Sequence, residues 1–144
     1  MPVVTDPKTG QPIFGGATSV GLRNVGSYQV SGQPYLTGSR MASSDELRVD
    51  FPYVTKNITL IASGSQASIR LHFNSVDAPG RVIDGLHYIS LDNDEDALTL
   101  DVKCTSAYVS CVNGGGDRGF QLMASLTNIP VRRMYHLTGS GLTD

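Results

Sequence analysis

From Leu47 onward, apolar and polar residues alternate with a period of two. Leu47, Val49 and Phe51 are interleaved with Arg48 and Asp50; Ile69, Leu71 and Phe73 with Arg70, His72 and Asn74. The same beat runs through Leu98-Leu100-Val102 and through Phe120-Leu122-Ala124-Leu126. A strand sends successive side chains to opposite faces, so this pattern predicts strands with one dry and one wet face. Residues 57–63, 85–91 and 106–112 add runs rich in β-branched and aromatic side chains. Turn chemistry separates the runs at Gly64-Ser65, Asp77-Ala78-Pro79-Gly80, Asp92-Asn93-Asp94 and Asn113-Gly114-Gly115-Gly116-Asp117. No window shows a helical stripe. Ser43-x-x-Glu46 has the spacing of a capping box, but strand alternation follows it. The expectation is an all-β domain, an antiparallel β-sandwich of jelly-roll or Ig-like type with about 7–8 strands.

Residues 1–42 break this pattern. They hold seven of the 16 Gly and four of the seven Pro, and their apolar residues are scattered: Ile13, Phe14, Val20, Leu22, Val25, Tyr28, Val30, Tyr35 and Leu36. Such a segment cannot bury enough surface by itself to offset its ordering entropy. Nine large apolar side chains are equally out of place in a flexible linker. Residues 1–42 therefore read as an extended N-terminal arm that becomes ordered on another surface. The second use open to it is an edge strand for its own domain. Residues 43–144 are the β-sandwich. Charge divides at the same point: three basic residues (Lys8, Arg23, Arg40) and Asp6 leave the arm at +2, whereas eight basic and twelve acidic residues leave the remainder at −4.

The whole chain, 144 residues with a net charge of −2, suits one domain and offers no bulk attraction to nucleic acid. It contains no apolar run of about 18 residues, so no helical membrane span is expected. The first residues show neither a basic region nor an apolar core of a cleaved signal peptide. Cys104 and Cys111 are seven residues apart, which on one continuous strand places them on opposite faces and about 23 Å apart. Two reduced thiols are expected, in keeping with assembly in a reducing cytoplasm.

Candidate chemistry is sparse. Asp92-Asn93-Asp94-Glu95-Asp96 resembles the front of a calcium loop, but Ala97 and Lys103 stand where Gly and Glu are required, leaving a charged hairpin tip. His72, His87 and His136 have no ligand-pair spacing and are expected on solvent or interface faces. The glycine run 113–119 lacks the Gly-Lys-Ser/Thr of a phosphate loop. No nucleophile has a base paired with it by a recognisable motif. The expectation is a non-enzymatic protein with no metal and no cofactor.

The stretch from Asn24 to Ser39 (NVGSYQVSGQPYLTGS), with Phe51 to Leu60 (FPYVTKNITL), resembles small virion structural proteins of tailed phages, those of marine and cyanobacterial phages in particular. His72-Phe73-Asn74-Ser75, residues 85–91, Val102-Lys103-Cys104, residues 126–130 and the ending from Met134 to Asp144 extend the resemblance over most of the chain from Leu22. It implies a virion component. With the arm-plus-domain layout, it points to a capsid decoration (cement) protein on the outer surface of the head. Its expected partners are the major capsid protein and copies of itself, with no direct contact to nucleic acid or membrane. Phe14, Leu22, Arg23, Tyr28, Tyr35 and Leu36 are the expected contacts of the arm with the capsid or a neighbouring subunit. Two alternatives stand beside this: a neck, tail or fibre adaptor or knob, and a carbohydrate- or cation-binding host-attachment module built on exposed Tyr and the 92–96 tip.

Overall fold

The computed structural model describes residues 32–64, 68–76, 82–112, 118–139 and 142. Among the described residues there are eight strands: β1 Tyr35–Arg40, β2 Glu46–Asp50, β3 Tyr53–Ser63, β4 Ile69–His72, β5 Ile89–Leu91, β6 Ala97–Leu100, β7 Ser106–Cys111 and β8 Gly119–Pro130. A 3₁₀ turn over Val131–Arg133 follows β8. Every period-two run of the sequence contains a strand, although Phe51, Phe73 and Val102 lie just past the ends of β2, β4 and β6. The run 85–91 is shorter than expected, because Leu86 and His87 donate their N–H groups to Ile83 and Val82 in turns, leaving Ile89–Leu91 for the ladder.

The strands form two four-stranded antiparallel sheets, β1-β8-β3-β6 (sheet I) and β2-β7-β4-β5 (sheet II). Apart from the β4–β5 hairpin, each strand crosses to the opposite sheet from the one before it. This is jelly-roll connectivity, which settles the choice between the two expected sandwich topologies.

The inward faces meet in one core. Sheet I contributes Ile58, Leu60 and Ala62 from β3 and Phe120, Leu122, Ala124 and Leu126 from β8; sheet II contributes Val49, Ile69, Leu71, Leu91, Ala107, Val109 and Cys111. Each fully buried Ile or Leu here stabilises the fold by about 1.5–3 kcal/mol relative to exposure. The β3–β8 pair is irregular between Tyr53 and Asn57, and hydroxyls take over there from the ladder. The Thr127 hydroxyl donates to the Val54 carbonyl at 2.6 Å and the Thr55 hydroxyl to the Val102 carbonyl at 2.7 Å.

The sheet begins inside the segment read as an arm. Tyr35–Arg40 pairs with β8 from Tyr35↔Ala124 to Arg40↔Gly119, so this part of the arm is an edge strand of its own domain. The approach is close: a Cβ at Gly38 would stand 2.7 Å from the Phe120 carbonyl oxygen, and one at Gly119 would stand 2.7 Å from that of Ser39.

Candidate partner-binding surface

The two sheets turn very different faces outward. On sheet II the ladder aligns Arg48, Tyr108 and His72 in one row and Glu46, Ser110, Arg70 and Ser90 in the next. These polar groups are engaged with one another. The Arg48 guanidinium lies 5.7 Å from the Tyr108 ring centroid and that of Arg70 4.2 Å from Tyr88. Glu46 accepts from the Ser75 hydroxyl and the Val76 N–H, both at 2.8 Å. That pair of bonds anchors residues 75–76 beside the sheet.

His72 departs from expectation. It is 1% exposed, not a solvent-face residue. Its ring stacks on Tyr108 with centroids 5.8 Å apart. Its Nδ1–H donates to the Asn74 carbonyl at 2.6 Å, so the neutral ring accepts at Nε2 from the Ser110 hydroxyl at 2.9 Å. Burial lowers the His72 pKa from its usual value; the Asn74 carbonyl and Glu46 oppose this and Arg70 adds to it. His87 is half-buried and His136 exposed.

The acidic stretch 92–96 is not the hairpin tip expected from the sequence, because it crosses from β5 of sheet II to β6 of sheet I, and its side chains bond within that connection and to its neighbours. Asp94 accepts from the Gly64 N–H at 2.8 Å, Asp96 from the Asn93 N–H at 3.0 Å, and Asp92 from the Ser90 and Ser68 hydroxyls. Among the described residues no group of three His, Cys, Asp or Glu side chains is placed to share a metal ion. Both cysteines are free and buried. Burial raises the Cys104 thiol pKa, and the Thr55 hydroxyl 3.3 Å away partly offsets this.

Sheet I presents an outward surface with Arg40 at one end of β1 and no charge across its centre. Its central rows are Leu36–Met123–Thr59–Thr99 and Gly38–Gln121–Ile61–Ala97. No charged residue stands in either row. Leu36 is 69% exposed and Met123 40%. Leu36, Met123, Ile61 and Gly38 line a shallow open groove of about 550 Å³. Thr59 and Thr99 hydrogen-bond to each other at 3.0 Å, which leaves them little demand for an outside partner.

Of the six expected contact residues, Phe14, Leu22, Arg23 and Tyr28 lie outside the described residues. The other two have opposite roles. Tyr35 faces inward, its ring edge-on to Phe51 at 5.4 Å, and packs on the core. Leu36 faces out. Ile61 and Met123 join it through the ladder, and sequence reasoning missed both because each sits in an ordinary strand pattern far from the arm. The available signal was the lack of charge at alternate positions of the two longest strands.

No protein-family model matches the chain, and no curated protein or solved structure matches it. The fold and surface define a class only: a jelly-roll sandwich with one polar, internally bonded face and one face whose centre carries no charge, beside β1.

Proposed function

We propose that this protein is a structural component of a phage virion, a decoration (cement) protein on the outside of the head. It binds the major capsid protein through the segment ahead of β1, and its sandwich faces outward. The observation that carries the reading is the nearly uncharged segment of residues 9–31, which holds scattered apolar anchors and Arg23 as its one charged residue. It leads directly into an edge strand of a domain whose His72 and acidic stretch 92–96 serve the fold. A segment of this kind binds by backbone hydrogen bonds and apolar anchors, and many weak copies on a lattice act together. The resemblance to tailed-phage virion proteins supports the same reading.

The test is removal of the arm with the domain left whole. Residues 35–40 are β1, so the deletion stops at Ser31. The truncated protein is expected to fold and to lose binding to expanded heads. Undiminished binding overturns the proposal. Copy number in purified particles separates head from tail: hundreds of copies place the protein on the capsid lattice, a few dozen or fewer on the neck, tail or fibre.

A further inference from the structure

We propose that two copies of this chain pair through the outward faces of sheet I, about a two-fold axis that runs along the strands between β8 and β3. Pairing is a property of the isolated protein and does not rest on capsid binding.

Charge argues first. The core of a protein interface is marked by a shortage of charged residues, with Met among the enriched ones. Met123 stands near the centre of this face with Leu36 and Ile61, and neither of the two central rows holds a charge. Such a face is compatible with its own copy. It sets no like charges against each other and strips no central charge of water. The Thr59 and Thr99 hydroxyls bond to each other, so covering them orphans little. Sheet II offers no equivalent, because Arg48, Arg70, Glu46 and His72 crowd its outer rows.

Area argues second. Strands of six, twelve, eleven and four residues, about 4.8 Å apart and rising about 3.4 Å per residue, give a face of about 540 Å² in plan. Side-chain relief raises the accessible area above the plan. Specific interfaces begin at about 600 Å² from each partner, so this face suits a small, reversible contact between two copies.

The rim fixes the axis. Arg40, Gly119 and Ser63 form the row at one end of the sheet, with Arg40 on the β1 edge. At the same end, on the β6 edge, the Glu95 N–H donates to the Ala62 carbonyl at 2.9 Å. Both Arg40 and Glu95 are exposed. A two-fold along the strands lays β1 of each copy over β6 of the other and keeps this end over itself. Arg40 of each copy then meets Glu95 of the other, one pair at each edge. Stacked sheets lie about 10 Å apart, a gap that an Arg and a Glu extended toward each other can bridge. A two-fold across the strands would instead carry Arg40 to the Tyr35 end of the other β1, a strand without an acidic residue.

Sedimentation of the full-length protein tests this. A monomer–dimer equilibrium with a Kd in the range of about 1–100 μM is expected. Met123→Asp, at an exposed position, is expected to weaken pairing by about tenfold or more, with circular dichroism showing the sandwich intact. Arg40→Glu and Glu95→Arg are each expected to weaken it by about fivefold, and the double variant to restore it. A protein that stays monomeric at about 100 μM overturns the proposal. So does an assembly of three or more copies, because an isologous face closes at two. Pairing that survives Met123→Asp belongs to another surface and overturns it as well. Failure of the double variant to recover overturns the axis. Pairing that appears only after residues 1–31 are removed shows the face already covered in the whole chain, and overturns the proposal for it.

Discussion

Both sheets of this molecule have four strands and the same alternation, yet their outward faces differ in kind. The face of sheet II carries Arg48, Glu46, Arg70 and His72, and these groups bond to one another and to the nearby segment 74–76. The centre of the sheet I face carries Leu36, Met123, Ile61, Gln121, two threonines bonded to each other and a glycine, with Arg40 at one end of β1. The first face is complete in the monomer, so altering it should cost fold stability. The second makes few side-chain bonds of its own, so substitutions there should cost the fold little.

The comparison breaks most visibly at His72. Replacing it with Ala empties a buried site and leaves the Ser110 hydroxyl without its acceptor, so a loss of about 2–4 kcal/mol is expected in urea unfolding. The same residue gives sheet II a pH dependence. Its folded pKa is depressed below the unfolded value of about 6.5, so the unfolded chain takes up the proton first. His72 is then neutral in both states above that value, and acidification through and below it destabilises the fold. A His72→Asn variant is expected to show a flatter decline between neutral and acidic pH.

A smaller effect is expected on the edge of sheet I. Gly38→Ala forces a Cβ against the Phe120 carbonyl 2.7 Å away and should cost about 1–3 kcal/mol by prising β1 from β8. Glu46→Ala on sheet II strands the Val76 N–H and the Ser75 hydroxyl, for a loss of about 1–2 kcal/mol. Arg48→Ala should cost less than about 1 kcal/mol, because its pair with Asp50 at 2.8 Å is solvent-exposed and screened. Smallest of all, Met123→Gln is expected to leave the stability of a chain lacking residues 1–31 within about 0.5 kcal/mol. A large loss from Met123→Gln in that truncated chain would remove the contrast between the faces.

Much of the fold was legible in the sequence because alternation is a local property. Ile58, Leu60, Leu122 and Ala124 announce their buried side by spacing alone, and the core holds them all. Two features were not legible. Tyr35–Arg40 contains Gly and Thr and no sustained period, and it becomes a strand because β8, far along the chain, supplies its hydrogen bonds. His72 sits at a position whose parity is outward, beside Arg70. It is buried because Tyr108 stacks on it and the chain at Asn74 turns back to meet its ring. The candidate site follows the same division: Leu36 was visible as an apolar residue in a polar stretch, while Ile61 and Met123 became its neighbours only through the register of β1, β8 and β3.

By itself the sequence determined where most of the strands lie, which side of the long strands is apolar, and that residues 9–31 hold a single charge. Side-chain periodicity and composition carry that information residue by residue. Only the tertiary structure decided the strand order, the membership of each sheet and the assembly of Leu36, Ile61 and Met123 into one surface. Ladder hydrogen bonds are made by the backbone, which is alike at nearly every residue, so which strands become neighbours depends on how the whole core packs.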